Sequence, residues 1–137
     1  MNLTEMAEQL PNGLHDAEIE EFTYNIAQQS VVFKVNVWIG TMDQPSSERE
    51  RYRWGLLRFQ GVEFFTKTES AYLSDSRMTF LTWGLQEDLE EKAKLSRVIA
   101  GKFFELSACY CQFRIACKDV SFEWTQHDDT NLSDKEN

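Results

Sequence analysis

Ser30 to Ile39 alternates apolar and polar residues over its whole length, and this pattern constrains the fold more than any other stretch. Val31, Phe33, Val35, Val37 and Ile39 fall on one face; Val32, Lys34, Asn36 and Trp38 fall on the other. Successive side chains of a strand point to opposite faces, and β-branched residues favour that geometry. The segment therefore commits the chain to a sheet with one buried face. Ala17 to Tyr24 reads as a second strand and Asn25 to Gln29 as the turn between them, so the two make a hairpin.

Further strands follow the same logic. Arg51 to Phe59 places Tyr52, Trp54 and Leu56 on one face, and Gly55 within it marks a bulge or a close approach. Val62 to Thr66, Ser76 to Trp83, Phe104 to Ala116 and Val120 to Trp124 are expected to add strands, and Gly40 to Glu50 reads as a polar loop. Two segments have helical spacing instead. Thr4 to Leu10 is amphipathic and is stopped by Pro11-Asn12-Gly13. Gln86 to Ile99 carries an apolar stripe, acidic residues in its first half and basic ones in its second, which suits a helix dipole. The expected fold is α+β: a mainly antiparallel, curved sheet or small open β-barrel with a short N-terminal helix and one longer helix. At 137 residues the chain suits a single domain, expected over 1–125, with an acidic, disordered tail over 126–137.

Charge narrows the partners. The net charge of −9 repels nucleic-acid backbones and favours a protein partner with a basic surface. The first residues lack a basic region followed by an apolar run, and no apolar run approaches the roughly 20 residues that span a bilayer. No membrane or nucleic-acid partner is expected, and the expected location is the cytoplasm. The three cysteines, Cys109, Cys111 and Cys117, suit reduced thiols there.

Several constellations invite a chemical reading. The cysteines share a strand face, but a structural zinc site wants four ligands, usually from Cys-x2-Cys knuckles. Packing as small hydrophobes explains them better, and neither metal nor cofactor is expected. His15-Asp16 could act as a base with its orienting carboxylate. Adjacent residues at a strand start point apart, however, and the only other histidine is His127. A structural role at the helix-to-sheet junction is the plainer explanation. Asp16, Glu18, Glu20 and Glu21 form an acidic run, while Arg49, Arg51 and Arg53 alternate along the third strand. If the two strands are neighbours, ion pairs explain both runs; if not, each is a candidate docking surface. Trp38 shares the polar face with Lys34 and Asn36. The candidate binding residues are thus His15, Asp16, Glu18, Glu20 and Trp38, and no catalytic residue is assigned. No P-loop, dinucleotide fingerprint, nucleophile elbow or zincin motif is present.

The run Leu10-Pro11-Asn12-Gly13-Leu14-His15-Asp16-Ala17-Glu18, the hairpin ending Asn36-Val37-Trp38-Ile39-Gly40, and Phe59-x-Gly61-Val62-x-Phe64-Phe65 resemble a family of small uncharacterised bacterial proteins with a Gly-Leu/Phe-His-Asp-Ala motif near the start. A group related to that family comprises immunity proteins of polymorphic toxin systems. The resemblance implies a bacterial, cytoplasmic protein of unknown function; the acidic charge, small size and absent catalytic motif point to a non-enzymatic protein-binding domain, with an immunity protein that binds and blocks a toxin as the expected form. The alternatives are a small-molecule-binding domain or enzyme with a pocket near His15 and Asp16, and a homodimer paired through a sheet edge.

Overall fold

The computed structural model describes residues 5, 8–10, 12–14, 17–40, 51–69, 78–108, 111–125 and 130–131. These residues form strands β1 (Glu18–Asn25), β2 (Ser30–Trp38), β3 (Arg51–Gln60), β4 (Phe64–Glu69), β5 (Met78–Glu87), β6 (Lys102–Ala108), β7 (Cys111–Cys117), β8 (Asp119–Trp124) and β9 (Thr130–Asn131). One helix, α1 (Leu89–Lys94), lies between β5 and β6. The strand order is β4-β7-β6-β5-β1-β2-β3-β8, with β9 also pairing β3, and every pairing is antiparallel. The order has two ends, so the sheet is not a closed barrel.

The alternation in β2 does what it predicts. Val31, Phe33, Val35 and Val37 are all fully buried. Their register partners continue the inner face: Phe22 stands opposite Phe33, which stands opposite Leu57. The sheet folds over so that this face meets the inner face of β7 and β6. Phe33 and Phe113 rings lie 4.9 Å apart, Phe22 and Phe113 5.3 Å, and Phe59 and Phe104 6.1 Å, the first two edge-on and the third tilted. Ring pairs of this kind add to the burial energy of large side chains, about 1 kcal/mol each.

Two expectations need correction. The stretch from Phe104 to Ala116 is not one strand but the hairpin β6–β7, with Ala108 opposite Cys111. No glycine or proline interrupts the alternation there, so the reversal leaves no mark in the pattern. The longer helix expected over Gln86 to Ile99 is only the six residues of α1. Gln86 and Glu87 end β5, opposite Glu105 and Phe104. Asp88 caps the helix by accepting the Glu91 N–H at 2.9 Å, and Leu95 closes it. None of its residues is buried, and Leu89, the expected start of the inner stripe, is 70% exposed. Sheet pairing at one end and burial of Ile99 at the other outweigh a short helical stripe.

At the N-terminus, Glu5, Glu8 and Gln9 are helical, and the rest of the helix expected over Thr4 to Leu10, apart from Leu10, lies outside the described residues. Within 126–137, read above as a tail, Thr130 and Asn131 pair with Tyr52 and Arg51.

Candidate protein-docking surface

Leu10, Leu14 and Ala17 are buried in the main core, which fixes the junction between the N-terminal turn and β1. The Gly13 N–H donates to the Leu10 carbonyl at 3.1 Å and the Ala17 N–H to Leu14 at 3.0 Å. The Asn12 amide reaches across and donates to the Gly40 carbonyl at 2.6 Å and to that of Trp38 at 3.3 Å. The junction is thereby tied to the far end of β2. Its other two candidates, His15 and Asp16, lie outside the described residues.

From this anchor β1 presents its carboxylates. Ile19 pairs with Val35 on the buried face, and the register then shifts, leaving Glu20 as the extra residue of a bulge before Glu21 pairs with Lys34. A bulge bends the strand and re-aims its side chains. Glu20 and Glu21 are exposed, and Glu18 is half-buried opposite Asn36. Glu20 meets the Lys34 ammonium at 3.4 Å, with both side chains well exposed, so the pair contributes little to stability. The same ammonium lies 5.2 Å from the centre of the Trp54 ring. Trp38 is half-buried at the end of β2, opposite Tyr52.

Cross-strand pairing of the acidic and arginine runs does not occur. β2 separates β1 from β3. Register also sends the runs to opposite faces: Arg53 stands opposite buried Val37, whereas Glu18 and Trp54 flank Asn36. The Arg53 guanidinium lies 4.8 Å from the Trp124 ring centre. Arg58, on the outer face, is held by Glu123 at 2.7 Å. Arg49 lies outside the described residues.

Three residues matter here that sequence reasoning did not single out. Asn12 pins the junction, and its value depends on carbonyls 26 and 28 residues away. Asn36 is wholly buried, and among the described residues neither atom of its amide has a hydrogen-bond partner. Glu63 accepts backbone N–H groups 37 and 38 residues away. Alternation correctly put Asn36 on the outer face but could not show that this face is covered there. No family model matches the chain, and no curated protein matches it.

Proposed function

We propose that this chain is a non-enzymatic protein-binding domain that works in the bacterial cytoplasm as an immunity protein, covering a basic surface of a toxin with its acidic β1 face. The observation that carries this reading is the separation of the acidic and arginine runs. Glu20 and Glu21 stand exposed on a strand that the arginines of β3 do not neighbour. Glu20 meets Lys34 in a solvent-exposed pair rather than a β3 arginine, so its carboxylate, like that of Glu21, stays accessible to a partner. Complementary charge steers association and selects partners. The net charge of −9 adds to the same field. Among the described residues, no helix is long and apolar enough to cross a membrane.

The test is growth rescue and binding with the product of a neighbouring toxin gene. The wild-type chain should restore growth and bind in a strongly salt-dependent way. Glu20→Lys combined with Glu21→Lys should slow association by about tenfold or more at low salt. Glu90→Lys, an exposed change on α1, should leave it unaltered. Equal binding by the double variant and the wild type would remove the β1 face from the reading.

A further inference from the structure

Residues 95–101 form a strap that runs from α1 to β6 over the outer face of β4, β7 and β6. Beneath it lies a second small core of Ile99, Phe103 and Ala116, with Phe64 and Leu95 packed against it. Phe103 stands opposite Ala116, which stands opposite Phe64, so one row of the sheet supplies this patch.

One side chain closes the strap. Glu63 sits between β3 and β4, and its own N–H is bonded to the Ala116 carbonyl at 2.8 Å. Its carboxylate accepts the Ala100 N–H at 2.9 Å and the Gly101 N–H at 2.7 Å. The strap is pressed close at that point: a Cβ on Gly101 would lie 2.1 Å from the Cys117 carbonyl oxygen. The Lys92 ammonium adds a bond to the Ile99 carbonyl at 3.0 Å.

We propose that Glu63 is an acid-sensitive latch: ionised, it holds the 95–101 strap over Phe103 and Ala116, and protonated, it lets the strap lift from that patch while the sheet stays folded. The two strap N–H groups lie where solvent competes for them, and a carboxylate, with two charged oxygens, holds both better than the protonated acid, which presents one acceptor and one donor. The charges facing Glu63 act the same way: Lys118 from the β7–β8 bend and Lys92 from α1 both favour the ionised form. Cys117, against the strap, is pushed up to about 12 by burial and stays neutral throughout the acid range. The hydrogen bond from Ala100 is the main cause holding the Glu63 carboxyl below its ordinary value of 4.5; burial opposes it, and the Gly101 bond and the two lysines reinforce it. Because that value is lowered by folding, the latch is fully closed above about pH 4.5 and opens as pH falls through the lower folded value.

Amide hydrogen exchange of the full chain, from pH 7 downward through the protonation of Glu63, tests this. Protection factors of Ala100 and Gly101 should fall by about tenfold as Glu63 titrates, while Phe33 and Phe113 in the sheet keep theirs. In Glu63→Gln the strap amides should be less protected at pH 7, by the same factor, and insensitive to pH. Unchanged protection of Ala100 and Gly101 once Glu63 has protonated, followed through its side-chain carboxyl resonance, would overturn the latch. So would a simultaneous loss at Phe113, because the sheet would then be unfolding as a unit. A pH dependence in Glu63→Gln equal to that of the wild type would assign the effect to another group. The wild-type series decides the matter even if the variant does not fold.

Discussion

Asn36 shows what a single residue can reveal that the alternation around it conceals. Its side chain is 0% exposed, lies opposite Glu18 on one side and Trp54 on the other, and finds no hydrogen-bond partner for either amide atom among the described residues. An unsatisfied buried polar group costs about 1–3 kcal/mol, whereas an apolar group of similar shape in its place costs nothing of the kind. Asn36→Leu should therefore raise stability by about 1 kcal/mol in urea unfolding. Asn36→Asp should lower it, because a buried carboxylate beside Glu18 has neither solvent nor a counter-charge from that neighbour. A marked loss of stability in Asn36→Leu would show that the amide is satisfied in solution. If the leucine variant is more stable yet weaker in binding, the polar group serves recognition rather than folding. The alternation in β2 correctly gave Asn36 its face. Coverage of that face depends on tertiary packing, to which a period of two is blind.

At the scale of elements, legibility followed the strength of the local pattern. β1, β2, β3 and β8 were readable within a residue or two: β2 and β8 carry unbroken alternation, and β1 and β3 keep enough β-favouring side chains to read as strands despite the bulge at Glu20 and the adjacent Leu56 and Leu57. The β6–β7 reversal was not readable, since no turn residue marks it, and neither was the brevity of α1, since the first half of its stripe, Leu89 and Ala93, stays exposed while Ile99 is buried only beyond the helix. Gly55 was readable as a choice between a bulge and a close approach, and the register decides it. Pairing runs unbroken through Val35, Gly55 and Trp124, and a Cβ on Gly55 would lie 2.3 Å from Phe122 Cζ. Phe122 is itself buried and packs edge-on against Trp124, ring centres 4.9 Å apart. The glycine is therefore the hollow into which an aromatic ring of β8 fits. Gly55→Ala should cost about 1–3 kcal/mol of stability by overpacking. Adding Phe122→Leu should recover part of that loss, so the double variant should be more stable than the sum of the single changes implies. Strict additivity in a denaturant series would separate Gly55 from Phe122.

For the molecule as a whole, the folded-over sheet makes one inner core from both halves, and its cysteines belong to that core rather than to a site. Cys111 and Cys117 are buried on β7, as a strand face of small hydrophobes requires; Cys109 lies outside the described residues. Burial, with a further push from Asp119, raises the Cys117 thiol from 9.0 to about 12. The sign follows from which state ionises first. Below pH 9 the thiol is neutral in both folded and unfolded chains, and its burial is fully favourable. Between about pH 9 and about pH 12 the unfolded chain ionises while the folded one cannot, so stability drains away with rising pH. The slope from one such group is about 1.4 kcal/mol per pH unit at most. Alkaline pH acts on the rest of the chain as well, so the comparison must be differential. At pH 7, Cys117→Ala should be less stable than the wild type by about 1 kcal/mol through lost packing. As pH rises from 9 to 11 that gap should close and then reverse, because the variant has no thiol to ionise. Urea unfolding of both chains at half-unit pH steps measures it, and two parallel curves would show that Cys117 ionises as easily folded as unfolded.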